Sequence, residues 1–121
     1  MKICITSEGT TLDSNIDPRF GRCRYFMIVD TDTMEFQAID NASMQASGGA
    51  GIQSGQLMAS KKVRAVLTGN VGPNAFQTLQ AGGIEIFTGV SGTVREAIEK
   101  YKEGAFKKTQ GPTVSAKKGM S

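Results

Sequence analysis

The period of the apolar positions changes once along the chain, and the change divides it into two parts. Residues 2–6 alternate, with Ile3 and Ile5 on one face and Cys4 and Thr6 on the other, which is the period of a strand. Residues 7–24 are polar and rich in turn formers, punctuated by Asp17-Pro18 and Gly21. The run Tyr25-Phe26-Met27-Ile28-Val29-Asp30 predicts a buried strand. Thr31-Asp32-Thr33 predicts a tight turn and residues 34–39 a returning strand, so the three form a hairpin. A loop of small residues over 40–51 ends in Gly48-Gly49-Ala50-Gly51. Beyond it the pattern predicts a helix over about residues 52–61 and a strand over 63–68.

A second helix opens at Gly72-Pro73-Asn74, because proline lacks an N–H that the first helical position would leave unpaired anyway. Phe76 and Leu79 lie on its inner face, and Gly82-Gly83 stop it. Residues 84–87 read as a further strand. Thr93 and Glu96 have the spacing of a capping box, in which each side chain takes up the other's free backbone N–H. The helix they open presents Val94, Ala97, Ile98 and Tyr101 on one face and ends at Gly104.

The order β-β-β-α-β-α-β-α predicts an α/β fold with a mixed sheet, because strands joined through a helix pair parallel and hairpin strands pair antiparallel. At 121 residues the chain fits one domain. That domain is expected over 1–104. Residues 105–121 are poor in apolar positions, contain Gly111-Pro112, and read as a flexible basic tail.

Composition narrows the function more by exclusion than by suggestion. The longest apolar runs are about half a dozen residues, far short of the roughly 20 needed to cross a bilayer. The N-terminus runs straight into a strand pattern without the form of a signal peptide, so a cytoplasmic setting is expected. The net charge is +3, but residues 104–121 hold Lys107, Lys108, Lys117 and Lys118 with no acid, which leaves the rest of the chain at −1. The basic character therefore belongs to the tail, and a nucleic-acid partner is not expected. There are two cysteines and no histidine. A closed zinc site needs four nitrogen or sulfur ligands, and Ser-His or Cys-His catalysis needs the missing imidazole.

Strand-to-helix loops of a parallel sheet emerge together at the carboxyl ends of the strands. Gly69-Asn70-Val71-Gly72-Pro73-Asn74 and Gly89-Val90-Ser91-Gly92 are two such loops. If the first strand is parallel to the fourth, the long loop over 7–24 starts at the same edge. Whether the glycine run at 48–51 reaches it depends on the connection over 40–47. Helix N-termini there would offer N–H groups to an anion, although each glycine also has an ordinary use in turns and caps.

The segment Asp17-Pro18-Arg19-Phe20-Gly21-Arg22-Cys23-Arg24 places three arginines within six residues, beside a cysteine. Two readings stand. One is an anion clamp in which the arginines lower the Cys23 pKa and make it a thiolate metal ligand. The other is a solvated basic loop with one arginine paired to Asp17. Cys4, mid-strand, reads as a small core residue, and Met27, Met34 and Met58 as core filler.

Together these segments resemble the dinitrogenase iron–molybdenum cofactor biosynthesis family, the NifX-like proteins. Asp17-Pro18-Arg19-Phe20-Gly21-Arg22 followed by Tyr25-Phe26 is similar to the family's Asp-x-Arg-Phe-Gly-Arg motif. Gly49-Ala50-Gly51-Ile52 with Gln56-Leu57 resembles its second motif, and the segment from Thr68 to Ala75 its third. Ala81-Gly82-Gly83-Ile84, then Gly92-Thr93-Val94 with Glu96-Ala97-Ile98, match the C-terminal pattern.

The resemblance implies a ribonuclease H-like fold, with a five-stranded mixed sheet in the order 3-2-1-4-5. It also implies a non-enzymatic protein that binds or carries an iron–molybdenum or iron–sulfur cluster or its precursor, transiently, among cofactor-assembly partners. One relative holds a molybdenum–copper sulfide cluster. Carried over by position, Arg19, Phe20, Gly21 and Arg22 line the pocket with Gly49, Gly51, Asn70, Gly72, Pro73 and Asn74, and Cys23 is the candidate metal ligand. The chain departs from the family at Gly48, where many members carry histidine.

Two other functions are set beside this one. A regulatory or interaction module of the same fold would bind a small anion or a partner protein, with no role in nitrogen fixation. A nuclease would need clustered carboxylates for two Mg²⁺ ions, and the first strand contains none.

Overall fold

The structure is a computed structural model that describes residues 1–41 and 50–114. Its sheet grows outward from β1 (Lys2–Ser7), in which every residue after Lys2 is buried. β1 pairs antiparallel with β2 (Tyr25–Asp30) on one side, from Lys2 opposite Asp30 to Ser7 opposite Tyr25. On the other side it pairs parallel with β4 (Ala65–Leu67). β3 (Phe36–Asp40) adds antiparallel to β2, and β5 (Glu85–Phe87) adds parallel to β4. The order is β3-β2-β1-β4-β5, as the family resemblance implies.

The alternation of β1 sends its side chains into two separate cores, because β1 is covered on both faces. Cys4 joins Phe26, Ile28 and Val66 under α1 (Ala50–Ser60) and α2 (Pro73–Ala81), which contribute Met58, Phe76 and Leu79. Ile3 and Ile5 join Met27, Val29 and Leu67 under α3 (Val94–Lys102), which contributes Val94, Ala97 and Ile98. The result is three layers, with two helices on one face and one on the other. No helix of the described residues is long and apolar enough to cross a membrane.

Local signals explain most of the boundaries. Pro73 occupies the start of α2, and the Thr93–Glu96 capping box is formed in both directions. The strand expected to begin at residue 34 begins at Phe36 instead. The Asp30 carboxylate accepts the N–H groups of Asp32 and Thr33 at 2.8 and 3.4 Å, and Met34 N donates to the Asp30 carbonyl at 2.7 Å. This turn takes up Met34 in a left-handed conformation (φ 63°).

After α3 the chain turns at Gly104 (φ 73°) and runs back along β5. The Phe106 ring sits 6.4 Å from that of Phe87, Thr109 N donates to the Ile86 carbonyl at 2.7 Å, and Thr113 N donates to the Val71 carbonyl at 2.8 Å. Residues 105–114, the first part of the stretch read as a tail, make these contacts. Lys117 and Lys118 lie outside the described residues, as do Gly48 and Gly49.

Gly55 sets the spacing of α1 and α2. A Cβ at Gly55 would fall 2.6 Å from Thr78 Cγ2 and 2.8 Å from Thr78 Cβ. Gly→Ala inside a helix ordinarily stabilises by about 0.5–1 kcal/mol, but overpacking of this kind costs about 1–3 kcal/mol. Gly55→Ala is therefore expected to lower the urea midpoint by a net equivalent of about 1 kcal/mol. A midpoint at or above that of the parent chain would show that the helices can separate freely.

Candidate functional site

The strand directions decide where the loops go. β1, β3, β4 and β5 all end at one edge of the sheet, and β2 begins there. The loop over 8–24 therefore leaves and returns at that edge, and β3 delivers Asn41 to it. α1 and α2 run parallel with their N-termini side by side, since Gly51 lies against Ala75 and Gly55 against Thr78. The first turn of α1, with Gly51, thus lies at the same edge as the loop before α2.

A buried carboxylate organises the long loop. Asp17 is 3% exposed. Its Oδ1 accepts Arg19 N at 3.1 Å and Arg19 Nε at 3.3 Å, while Oδ2 accepts Arg24 N at 3.2 Å and Arg19 Nη2 at 3.4 Å. The Asp17 hydrogen bonds, and then its charge, raise the Arg19 pKa above its ordinary value. Beneath it, Thr6 Oγ1 donates to the Asp17 carbonyl at 2.6 Å and lies 2.8 Å from Thr68 Oγ1, joining the ends of β1 and β4.

The two motif loops are bonded directly to each other. Asn70 N donates to the Pro18 carbonyl at 2.7 Å, and Phe20 N donates to the Asn70 carbonyl at 3.1 Å. Gly69 permits the contact: a Cβ there would fall 2.7 Å from Pro18 Cα and 2.8 Å from its carbonyl oxygen. Phe20, expected to face the ligand, points into the core and packs 5.7 Å from the Phe26 ring. It anchors the loop. Gly21 turns with φ 93°, and Asn41 Nδ2 donates to the Gly21 and Cys23 carbonyls at 3.0 and 2.9 Å.

Arg19 is bridged to Asn70, and the exposed Arg22 and Arg24 follow, the latter 5.7 Å over the Tyr25 ring. Asn70 and Asn74 are exposed, while Gly51, Gly72 and Pro73 are half-buried. The N-cap of α2 is Gly72, which supplies no side-chain cap, so that end of the helix dipole is left to other partners.

α3 behaves differently. Val94 N and Arg95 N donate to the carbonyls of Ser14 and Leu12 at 2.9 and 2.8 Å, and Arg95 Nε reaches Asp13 at 3.1 Å. Its N-terminus is closed by the long loop and the capping box together. Gly89 and Gly92 serve turns there, with φ of 73° and 92°. The site thus draws on the N-termini of α1 and α2.

The expectation that the arginines make Cys23 a thiolate is overturned. Cys23 is fully buried, and burial, followed by the Asp17 charge, pushes its pKa up to about 12. Burial also pushes the Cys4 thiol well up, with the neighbouring Cys23 adding to it. Among the described residues no three His, Cys, Asp or Glu side chains gather as a metal-ligand set. Asp30 is committed to the hairpin turn and lies 3.6 Å from the N-terminal amine.

A separate cavity of about 490 Å³ lies by the end of α3, between Met1, Phe87, Tyr101 and Phe106. It shares no residue with the motif loops.

The cysteines yield a test. At pH 8 both thiols should resist Ellman's reagent in the folded chain and react on unfolding. The unfolded Cys23 thiol ionises near 9.0 and the folded one near 12. The unfolded state therefore loses its proton first, and stability falls as pH rises through that window, with no effect below it. Urea midpoints at pH 8 and 10.5 should differ less for Cys23→Ser than for the parent. Rapid labelling of the folded chain at pH 8 would contradict the assignment.

Residues 1–104 match the model of the family described as dinitrogenase iron-molybdenum cofactor. An uncharacterized protein of Methanocaldococcus jannaschii is 30% identical over 112 residues, covering 89% of this chain and 95% of its own length. The apo form of the orange protein from Desulfovibrio gigas superposes with a TM-score of 0.90 at 43% identity, covering 93% of this chain and 95% of that one. The NMR structure of a candidate NifB protein from Thermotoga gives 0.77 at 36% identity, covering 88% and 91%.

Proposed function

Because the chain belongs to the dinitrogenase iron–molybdenum cofactor family, we propose that it is a non-enzymatic carrier for an anionic metal–sulfur cluster, of iron–molybdenum or iron–sulfur type, or for its precursor. The observation that carries this reading is the direct bonding of the Arg19–Phe20 segment to Asn70, beside the N-termini of α1 and α2. That arrangement brings the arginine-bearing loop to the sheet edge at which two helix ends favour negative charge.

The cluster is cargo. With Cys23 fully buried and no histidine in the chain, it is held by charge and hydrogen bonds rather than by protein–metal bonds. Such holding suits transient carriage, in which assembly proteins deliver the cluster and collect it. Arg22, Asn70, Asn74 and the first turns of α1 and α2 supply the contacts. Cys23 does not.

A second reading is a module that binds a small anion or a partner protein at the same edge, which the joined Arg19–Phe20 and Asn70 loops and the helix ends would serve equally. Loading separates the two. Anaerobic reconstitution of the apo-chain with iron, sulfide and molybdate is expected to give a visible chromophore with bound metal and acid-labile sulfide. Cys23→Ser should load like the parent. Arg22→Ala should bind about tenfold more weakly, as loss of one charge-assisted hydrogen bond implies. A parent chain that takes up no metal ends the carrier reading. Full loading of Arg22→Ala moves the cluster away from this loop and favours the second.

A further inference from the structure

We propose that residues 105–114 form a strap that supports the ligand site, with Thr113 as the positioning residue for the β4–α2 loop. The inference rests on the reading of that edge as the cluster site. The strap lies beyond residue 104, where the family match ends.

Two threonines of the strap each fix the exit of one strand. At β5, Thr109 Oγ1 accepts Thr88 N at 3.0 Å and lies 2.7 Å from Thr88 Oγ1, while Thr109 N donates to the Ile86 carbonyl. Beyond β4, Thr113 Oγ1 accepts Val71 N at 2.8 Å. The Val71 carbonyl takes Thr113 N at 2.8 Å and Val114 N at 3.3 Å, with Thr113 Oγ1 also 3.3 Å away. Both backbone groups of Val71 are therefore satisfied by the strap.

Val71 immediately precedes Gly72, the uncapped N-cap of α2, and its side chain is fully buried. The strap also reaches Gly72 itself, since a Cβ there would meet Val114 Cγ2 at 3.8 Å. The strap thus sets the orientation of Gly72-Pro73-Asn74 relative to Arg19 and Asn70. A binding constellation held by charge and hydrogen bonds loses strength when its supporting contacts loosen. Threonine fits the role because one hydroxyl both accepts and donates. Valine keeps its shape and removes that capacity, and serine keeps the hydroxyl.

The test uses the full chain with Thr113→Val and Thr113→Ser, and reads Val71 amide hydrogen exchange together with metal release after reconstitution with iron, sulfide and molybdate. In Thr113→Val, Val71 exchange and metal release are each expected to be about tenfold faster, the size of one lost buried hydrogen bond. Thr113→Ser should restore both. Unchanged Val71 exchange overturns the proposal, and so does faster exchange with unchanged release. If the parent chain takes up no metal, the carrier reading fails. Exchange alone then decides the positioning role: faster in valine and restored in serine supports it, and no change overturns it.

Discussion

The burial of one carboxylate, that of Asp17, is the constraint on which the site depends. A charge removed from water must find donors, or its burial costs several kcal/mol. Asp17 finds them in the Arg19 and Arg24 amides and the Arg19 guanidinium. Satisfying it folds residues 17–24 into one conformation. That conformation places the Pro18 carbonyl and the Phe20 amide where Asn70 meets both. The β4–α2 loop is held in turn, so the two motif loops form a single rigid unit across the ends of β1 and β4.

In the proposed reading, rigidity takes the place of metal ligands. A site that binds through guanidinium groups and helix N-termini depends on their aim, because each contact is weak alone. Several elements serve that aim without facing the ligand. Phe20 ties the loop to the core, Asn41 holds the turn at Gly21, and the Thr6–Thr68 contact joins the strand ends. Gly69 and Gly51 allow backbones to approach closely, where side chains would hold them apart. The buried Cys23 fits this division, since it packs in the core beneath the loop.

Much of this was legible in the sequence because the signals were local. The single change of period gave the element order. Pro73 and the Thr93–Glu96 pair marked helix starts, and one of the two readings of the basic loop paired an arginine with Asp17. What could not be read was non-local. The closure of α3 by the Leu12 and Ser14 carbonyls uses backbone atoms, which carry no residue signature. Cys23 looked activated because three arginines are its neighbours in sequence, whereas its pKa follows from burial, which depends on the whole fold. Residues 105–114 looked featureless because few of their positions are apolar. Their threonines act through backbone groups about twenty and forty residues away in sequence.

The central claim is spatial: an anionic cluster sits at the edge where Arg19–Phe20 meets Asn70. The most direct measurement is an amide NMR map of the chain before and after reconstitution with iron, sulfide and molybdate. The account predicts shifts or broadening concentrated at Arg22, Gly51 and residues 70–75, with little change at the β2–β3 turn. Perturbation centred on the cavity of Phe87, Tyr101 and Phe106 would contradict it.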